Sequence, residues 1–480
     1  MKISFIAIGA VTSFRLIGYL LALGVIFIVE KLHGTFGLGI YGLLLMITTC
    51  VRFMTFGSAD LYLLRGAKGA KNIGYKLYTT YMLFGFISLS IFILLFFATL
   101  NWSIPYFLKF ELQGVNLLLI PILLVIRCIT ATNIARERIS GGVIILICSY
   151  IIPYLFEIIF LISSSRENLA CNLFLGHILG HIILNMLCIN KIGTKTKKLH
   201  LQKHLSRFLT SGLWLFRLLV KKSFVLISFS FCLYGIVLLV RFLGSKNLGV
   251  EEFGVLTLLI VVVQAVQNLI NTVVTINQAQ LISVISSCRE SLTPKIKSKF
   301  SLVNNVRVVV AICWLLVVIG TYLILHQSFF ELPYTIVDIS LFLVPSMLLV
   351  AFLDMTFFSQ ISAQSYNQTW KITRIIIPIF CILIFANLFV DFSIHEIVVI
   401  WLILNFSAGI IISIAGKLNK QIDQHFNVLN LLSQLICQLT FIALISIFIN
   451  FYLAGVIMAI TLLLNIRLKT YIRDIDDKTI

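Results

Sequence analysis

The sequence predicts an all-α polytopic membrane protein of about fourteen transmembrane helices, twelve in two six-helix lobes plus a C-terminal pair, with both termini cytoplasmic. Three observations lead there. Of 480 residues, 60% are hydrophobic and 11% charged, with a mean hydropathy of +1.06. A soluble domain carries about 25% charged residues, so this chain has too few to cover a water-facing surface. Apolar runs long enough to cross a bilayer recur from Ser13 to Ile466, and they are continuous rather than alternating with period two, which indicates helices and not barrel strands. Lysine and arginine collect in alternate loops, the third observation.

The candidate spans run 13–31, 38–63, 77–99, 114–134, 141–162, 170–190, 223–243, 252–280, 302–325, 336–359, 372–390, 396–415, 428–449 and 451–466. A span needs about 20 residues, fewer where the bilayer is thin. The last is short, which leaves open whether the final pair are both full spans. The N-terminal run lacks a small-residue cleavage site and is long enough to cross, so it reads as a retained helix. With the N-terminus inside, the inner segments hold 28 Lys and Arg and the outer loops 5, namely Lys31, Lys109, Arg166, Arg241 and Lys246. That bias supports the even span count and the orientation together. It also accounts for the net charge of +19 without a nucleic-acid partner. The ten cysteines are scattered and form no CxxC, so neither a disulfide framework nor a thiolate metal site is indicated.

The chain also repeats itself. VIFIVEKLHGTFGLGIYGLLLMI at 25–47 resembles VLLVRFLGSKNLGVEEFGVLTLLI at 237–260, pairing Gly34 with Gly244 and Gly42 with Gly254. The offset places span 7 over span 1 and span 8 over span 2. Six helices per half is an even number, so the halves share one orientation about an axis along the membrane normal. The domains expected are an N-terminal lobe at 1–190, a basic cytoplasmic linker at 191–222, a C-terminal lobe at 223–415, and two extra helices with a short tail at 416–480. Residues 205–220 of the linker suit an amphipathic helix in the interface, with Trp214 and Phe216 toward the acyl chains.

Four arginines, Arg15, Arg52, Arg127 and Arg307, fall inside spans. An arginine at the bilayer centre costs about 2.5–3.5 kcal/mol on insertion scales, so each needs a partner or a water-filled space. Thr48, Arg52 and Thr55 share one face of span 2, with Asp60 on the following turns. On span 8, the repeat partner of span 2, Gln264, Asn268, Asn271, Thr275 and Gln278 form a continuous polar stripe. The two faces are expected to meet across a central cavity. Arg15, Arg127 and Arg307 are placed nearer the cytoplasmic ends, and Glu157 and Asp354 are the acidic residues deepest in spans. Cations outnumber anions there. Guanidinium forks match phosphate oxygens, and hydroxyls and amides suit a many-hydroxyl ligand, so an anionic hydrophilic substrate is indicated. The alternatives are that Arg15 and Arg307 snorkel to the interface and that Arg52 pairs structurally with Asp60 or another carboxylate. His177 and His181 have a spacing that can bind zinc, but no third ligand accompanies them, and no metal or other cofactor is expected. The chain has no Walker A motif for direct use of ATP.

RFLGSKNLGVEEFGVLTL at 241–258, and its weaker copy EKLHGTFGLGIYGLLL at 30–45, resemble the glycine motif of Wzx-type polysaccharide flippases, in the MOP superfamily with the MATE exporters and the lipid II flippase. The first copy has Glu30 and Lys31 where the motif usually has arginine. The resemblance implies a MATE/MOP-like fold and no enzymatic activity. It implies transfer of a polyprenyl-diphosphate-linked oligosaccharide, an O-antigen or capsule repeat unit, from the inner to the outer leaflet of the bacterial cytoplasmic membrane. The cavity would be central and cationic, with Arg15 and Arg52 resembling the family's cationic residues and spans 13 and 14 offering a groove for the lipid tail. Arg241, inside the motif, reads as structural. The partners implied are the lipid-linked oligosaccharide, membrane lipids and the polysaccharide polymerase machinery. Coupling is open between membrane potential alone and H⁺ or Na⁺ carried by Asp60, Glu157 or Asp354. A MATE-type cation or drug antiporter shares the fold but should have an acidic, aromatic cavity. A membrane polysaccharide polymerase should have a large catalytic outer loop, and the longest here, at 100–113, has no carboxylate pair.

Overall fold

The structure is a computed structural model that describes residues 5–54, 90, 107–112, 114–140, 143–193, 235–261, 264, 369–386, 390–401 and 403–404. The chain divides into two compact units, Met1–Val261 with Thr369–Leu404, and Val262–Gln368 with Asn405–Ile480. Every described residue except Gln264 belongs to the first. Its helices are α1 (Phe5–Met54), α2 (Leu119–Ser140, entered through a 3₁₀ turn at Gly114–Leu118), α3 (Val143–Ile162), α4 (Leu169–Gly193), α5 (235–247), α6 (250–261), α7 (Thr369–Ala386) and α8 (394–401). No strand occurs among the described residues.

Spans 1 and 2 are joined without a separate loop. A straight helix of 50 residues would run about 75 Å, more than twice the hydrocarbon thickness. α1 instead breaks at Gly34, with φ 64° and ψ −158°. That region of backbone space is essentially restricted to glycine. A Cβ at Gly34 would meet nothing within 4 Å, so the backbone angle and not crowding requires the glycine. Residues 35–54 form the second segment of the helix.

The next three spans match their expected limits closely, except that α2 starts later and runs on to Ser140. Arg127 lies near the middle of its helix. α8 begins at Ile394 because Ser393 and Glu396 cap it reciprocally. The Ser393 N–H and hydroxyl donate to Glu396 Oε2 at 2.7 and 2.9 Å, and the Glu396 N–H returns to Ser393 Oγ at 3.4 Å. Span 3, apart from helical Ser90, lies outside the described residues, as do spans 9, 10, 13 and 14 and the linker helix at 205–220.

Within hydrocarbon, helices gain little from burying apolar surface against each other, so close backbone approach at small residues has to hold them. α4 carries Gly176 and Gly180 one turn apart. A Cβ on Gly176 would stand 2.9 Å from the Phe156 carbonyl oxygen, and one on Gly180 2.7 Å from the Pro153 Cα. This crossing seats α4 directly on α3. Gly18 of α1 makes a similar contact with Tyr150 of α3, where a Cβ would lie 2.7 Å from the carbonyl oxygen.

The two copies of the repeat pack on one another. Gly39 and Gly42 of α1 face Val250, Phe253 and Thr257 of α6, while Gly254 of α6 faces Thr35 and Gly39. Gly42 and Gly254, matched by the repeat, thus do the same work. Gly34 and Gly244 do not. Gly34 supplies a backbone angle, whereas Gly244 sits where a Cβ would be 2.4 Å from Leu256 Cδ2. The outward faces stay apolar, with Ile144 74% exposed and Ile162 70% exposed. Surfaces of that kind suit lipid and not water. Among the described residues, Ile17–Cys50 and Leu169–Cys188 are long and apolar enough to cross a membrane.

Candidate functional site

The glycine crossing of α3 and α4 builds the most polar region of the unit. Because Gly176 and Gly180 touch α3, the residues that follow them, His177 and His181, lie beside the α3 backbone. His177 Nδ1 is hydrogen-bonded to Glu157 Oε1. The His177 and His181 rings meet edge to face with centroids 4.6 Å apart. His181 Nε2 lies 2.7 Å from Arg127 Nη1 of α2. A guanidinium only donates, so His181 accepts at Nε2 and, when neutral, has its proton on Nδ1. Arg127, His181, His177 and Glu157 thus form one line of contacts through three helices.

One turn further along α4, Asn185 extends the network. Its amide nitrogen donates to Thr130 Oγ1 at 3.0 Å and to the Ile126 carbonyl at 3.4 Å, and its oxygen accepts from Asn133 Nδ2 at 3.1 Å. His177, His181 and Asn185 are spaced by four along α4, and Arg127, Thr130 and Asn133 by three along α2. Each set lies on one helical face, and the two faces meet. Among the described residues no cluster of three or more His, Cys, Asp or Glu side chains could hold a metal.

Arg241 is the second buried cation. The loop charge count placed it outside the membrane, but it lies within α5 and is 1% exposed. Its Nη1 donates to Thr49 Oγ1 of α1 at 3.2 Å. Thr49 and Thr48 both donate to the Leu45 carbonyl, at 2.6 and 3.0 Å. Thr48 is therefore buried with its hydroxyl proton directed into its own helix.

A third group of contacts lies around residues 107–112. Lys109 Nζ donates to the carbonyls of Ser245, at 3.1 Å, and Leu248, at the C-terminal end of α5. Partial burial pushes its ammonium below the usual lysine range, opposed by the charge of Glu252. Phe110 packs edge-on against Phe253 at 5.8 Å. His33, beside the break in α1, bonds Ser164 Oγ at 2.8 Å, and Arg166 lies 4.8 Å from the Phe36 ring centroid.

Of the candidate residues, the structure joins Arg127 and Glu157 through the two histidines. It places Arg15 and Arg52 on α1 and Gln264 in a helical turn of the second unit. Thr55, Asp60, Asn268, Asn271, Arg307 and Asp354 lie outside the described residues. The sequence reading weighed His177 and His181 only as zinc ligands and passed over Thr130, Asn133 and Asn185. The signal was present in GHILGH at 176–181, where a small-residue pair and a histidine pair share one period.

No protein-family model matches the chain, and no curated protein does. Solved structures do. An inward-facing multidrug resistance MATE family transporter of the MOP superfamily aligns over 85% of this chain and 97% of its own, at 12% identity with a TM-score of 0.52. This chain shares the fold of that transporter. A second structure, described as protein A, covers 88% of this chain and 97% of its own at 10% identity with a TM-score of 0.57. The MATE neighbour is described as a transporter, and the exposed isoleucines of this chain suit a multi-pass membrane protein.

Proposed function

We propose that this chain is a flippase that moves a polyprenyl-diphosphate-linked oligosaccharide from the cytoplasmic to the outer leaflet of a bacterial inner membrane. One observation carries the reading: the sign of the charge inside the helices of a MOP fold. Arg15, Arg52, Arg127 and Arg241 all sit on helices of the described unit. Arg127 and Arg241 are engaged with His181 and Thr49. Arg52 and Arg15 are the proposed diphosphate contacts, with Thr48, Thr55, Gln264, Asn268, Asn271 and Arg307 as further cavity residues.

In this mechanism the diphosphate enters from the inner leaflet, the glycan lies against hydroxyls and amides, and the polyprenyl tail stays in lipid. Alternating access then opens the cavity outward. Each negative charge moved to a positive outer face gains about 2.3 kcal/mol per 100 mV, so the membrane potential can drive export. The second reading, a cation or drug antiporter, is favoured by the MATE neighbour and opposed by the arginines.

The test is inside-to-outside transfer of a polyprenyl-diphosphate oligosaccharide by the reconstituted protein. Wild type should transfer it, Arg52→Ala should lose at least about tenfold, equivalent to about 1.4 kcal/mol, and Arg52→Lys should keep part. No transfer by folded wild type, with transport of organic cations instead, would establish the antiporter.

A further inference from the structure

Glu157 and His177 are buried, and the bond between them engages one oxygen and one nitrogen. Glu157 Oε2, His177 Nε2 and His181 Nδ1 have no hydrogen-bond partner among the described residues. Buried polar atoms are paired as a rule, and three unpaired ones along a single line of contacts mark a place that receives something. A hard cation such as sodium takes several oxygen ligands, and this pair presents one open oxygen beside imidazole nitrogens. A proton fits what is there.

We propose that the Glu157–His177 pair is the proton-binding site of the transport cycle; this deepens the transporter reading and rests on it. In the empty state His177 Nδ1–H donates to the Glu157 carboxylate, and Arg127 balances that carboxylate's charge through His181. One proton then adds at His177 Nε2 or Glu157 Oε2, taking the line from neutral to +1, and leaves from the same atom. Imidazole is the side chain that exchanges a proton between about pH 5 and 8.

Four groups face the pair, and His181 is the one among them that could compete for that proton, its basic nitrogen being held by Arg127. They are the Arg127 guanidinium from α2, His181 from α4, Tyr154 from α3 and Tyr41 from α1, with Arg241 acting on Tyr41 and Tyr19 on Tyr154. Arginine stays charged and tyrosine neutral over this range. Glu157 is five residues from the end of α3 and His177 eight from the start of α4. At 1.5 Å per residue that is about 8 and 12 Å from the end shared by the two helices. The charge bias puts that end outside, so the proton enters from the outer face.

The full-length protein in nanodiscs is titrated from about pH 8 to 5 and followed by infrared difference spectroscopy for carboxyl protonation and ¹⁵N NMR for imidazole protonation. Wild type should show uptake at the pair. Glu157→Gln and His177→Gln should each remove that signal, and His395→Gln, at an exposed position, should keep it. In proteoliposomes an acid-outside step should speed transfer severalfold in wild type and not in Glu157→Gln. A wild type with no buried protonation in this range, or a signal that survives both substitutions, overturns the proposal, and the wild-type titration decides even where a variant fails to fold. Loss of all oligosaccharide transfer would count against the flippase reading, while the titration would still judge the proton site.

Discussion

Gly254 of α6 rests on the backbone of Thr35 in α1: a Cβ at Gly254 would stand 2.0 Å from the Thr35 carbonyl oxygen. The two repeats touch there main chain to main chain, and the reciprocal contact is Gly42 on Thr257. The obstacles differ in kind, and so should the consequences of filling them.

Gly254→Ala should destabilise the protein by roughly 1–3 kcal/mol, the usual cost of overpacking, because a carbonyl cannot move aside. Gly42→Ala meets Thr257 Oγ1 at 2.0 Å, a side-chain atom. Thr257→Ala should therefore recover much of the Gly42→Ala loss, whereas no side-chain change at Thr35 should recover Gly254→Ala. Thermal unfolding of the four-member Gly42/Thr257 cycle in detergent measures the coupling; additive losses would show that the contact is not made.

Gly34→Ala should cost about 1–3 kcal/mol through backbone strain alone, since its surroundings are open. Asparagine tolerates the left-handed helical region, but φ 64° with ψ −158° lies outside it. Gly34→Asn should accordingly be no better than Gly34→Ala in a thermal melt. A clear rescue by asparagine would place Gly34 in the ordinary left-handed conformation.

Lys109→Met should strip the cation from the Ser245 and Leu248 carbonyls. A charge-assisted bond is worth about 1.5–3 kcal/mol when buried, and the half-buried position of Lys109 brings the expected loss to about 1 kcal/mol. Hydrogen exchange at 244–249 should quicken more than in α2. Unchanged exchange there would mean that the turn holds without its lysine.

Asn185→Leu removes donations to Thr130 and Ile126 and the acceptor for Asn133. Interhelical hydrogen bonds in membranes average about 0.6 kcal/mol, so the summed cost should be about 1–2 kcal/mol. Asn133→Leu in the same background should add little, because its partner has already gone. Full additivity of the two melts would contradict the pairing.

Much of the helix layout was legible before any coordinates. Continuous apolar runs located spans 5 and 6 to within three residues and span 4 to within six, because hydrocarbon forces backbone polar groups into helices of bilayer length. The repeat of Gly42 and Gly254 was also readable, since close packing of helices in lipid needs small residues. The joint at Gly34 was not, because a helix break set by one residue's φ leaves no mark on hydropathy. Arg241 was misplaced for a related reason: it stands at the end of an apolar run, and a charge count cannot tell a loop cation from a buried one.

The sequence by itself determined the membrane class, the positions of these helices and the excess of cations within them, all of which follow from composition and one-dimensional periodicity. Only the tertiary structure decided partners. It put Glu157 against His177, His181 against Arg127 and one repeat's glycines against the other's threonines, contacts that bridge 20 to 219 positions along the chain. Helical periodicity says which residues share a face. The neighbour that face meets is selected by close packing in three dimensions, which no local pattern records.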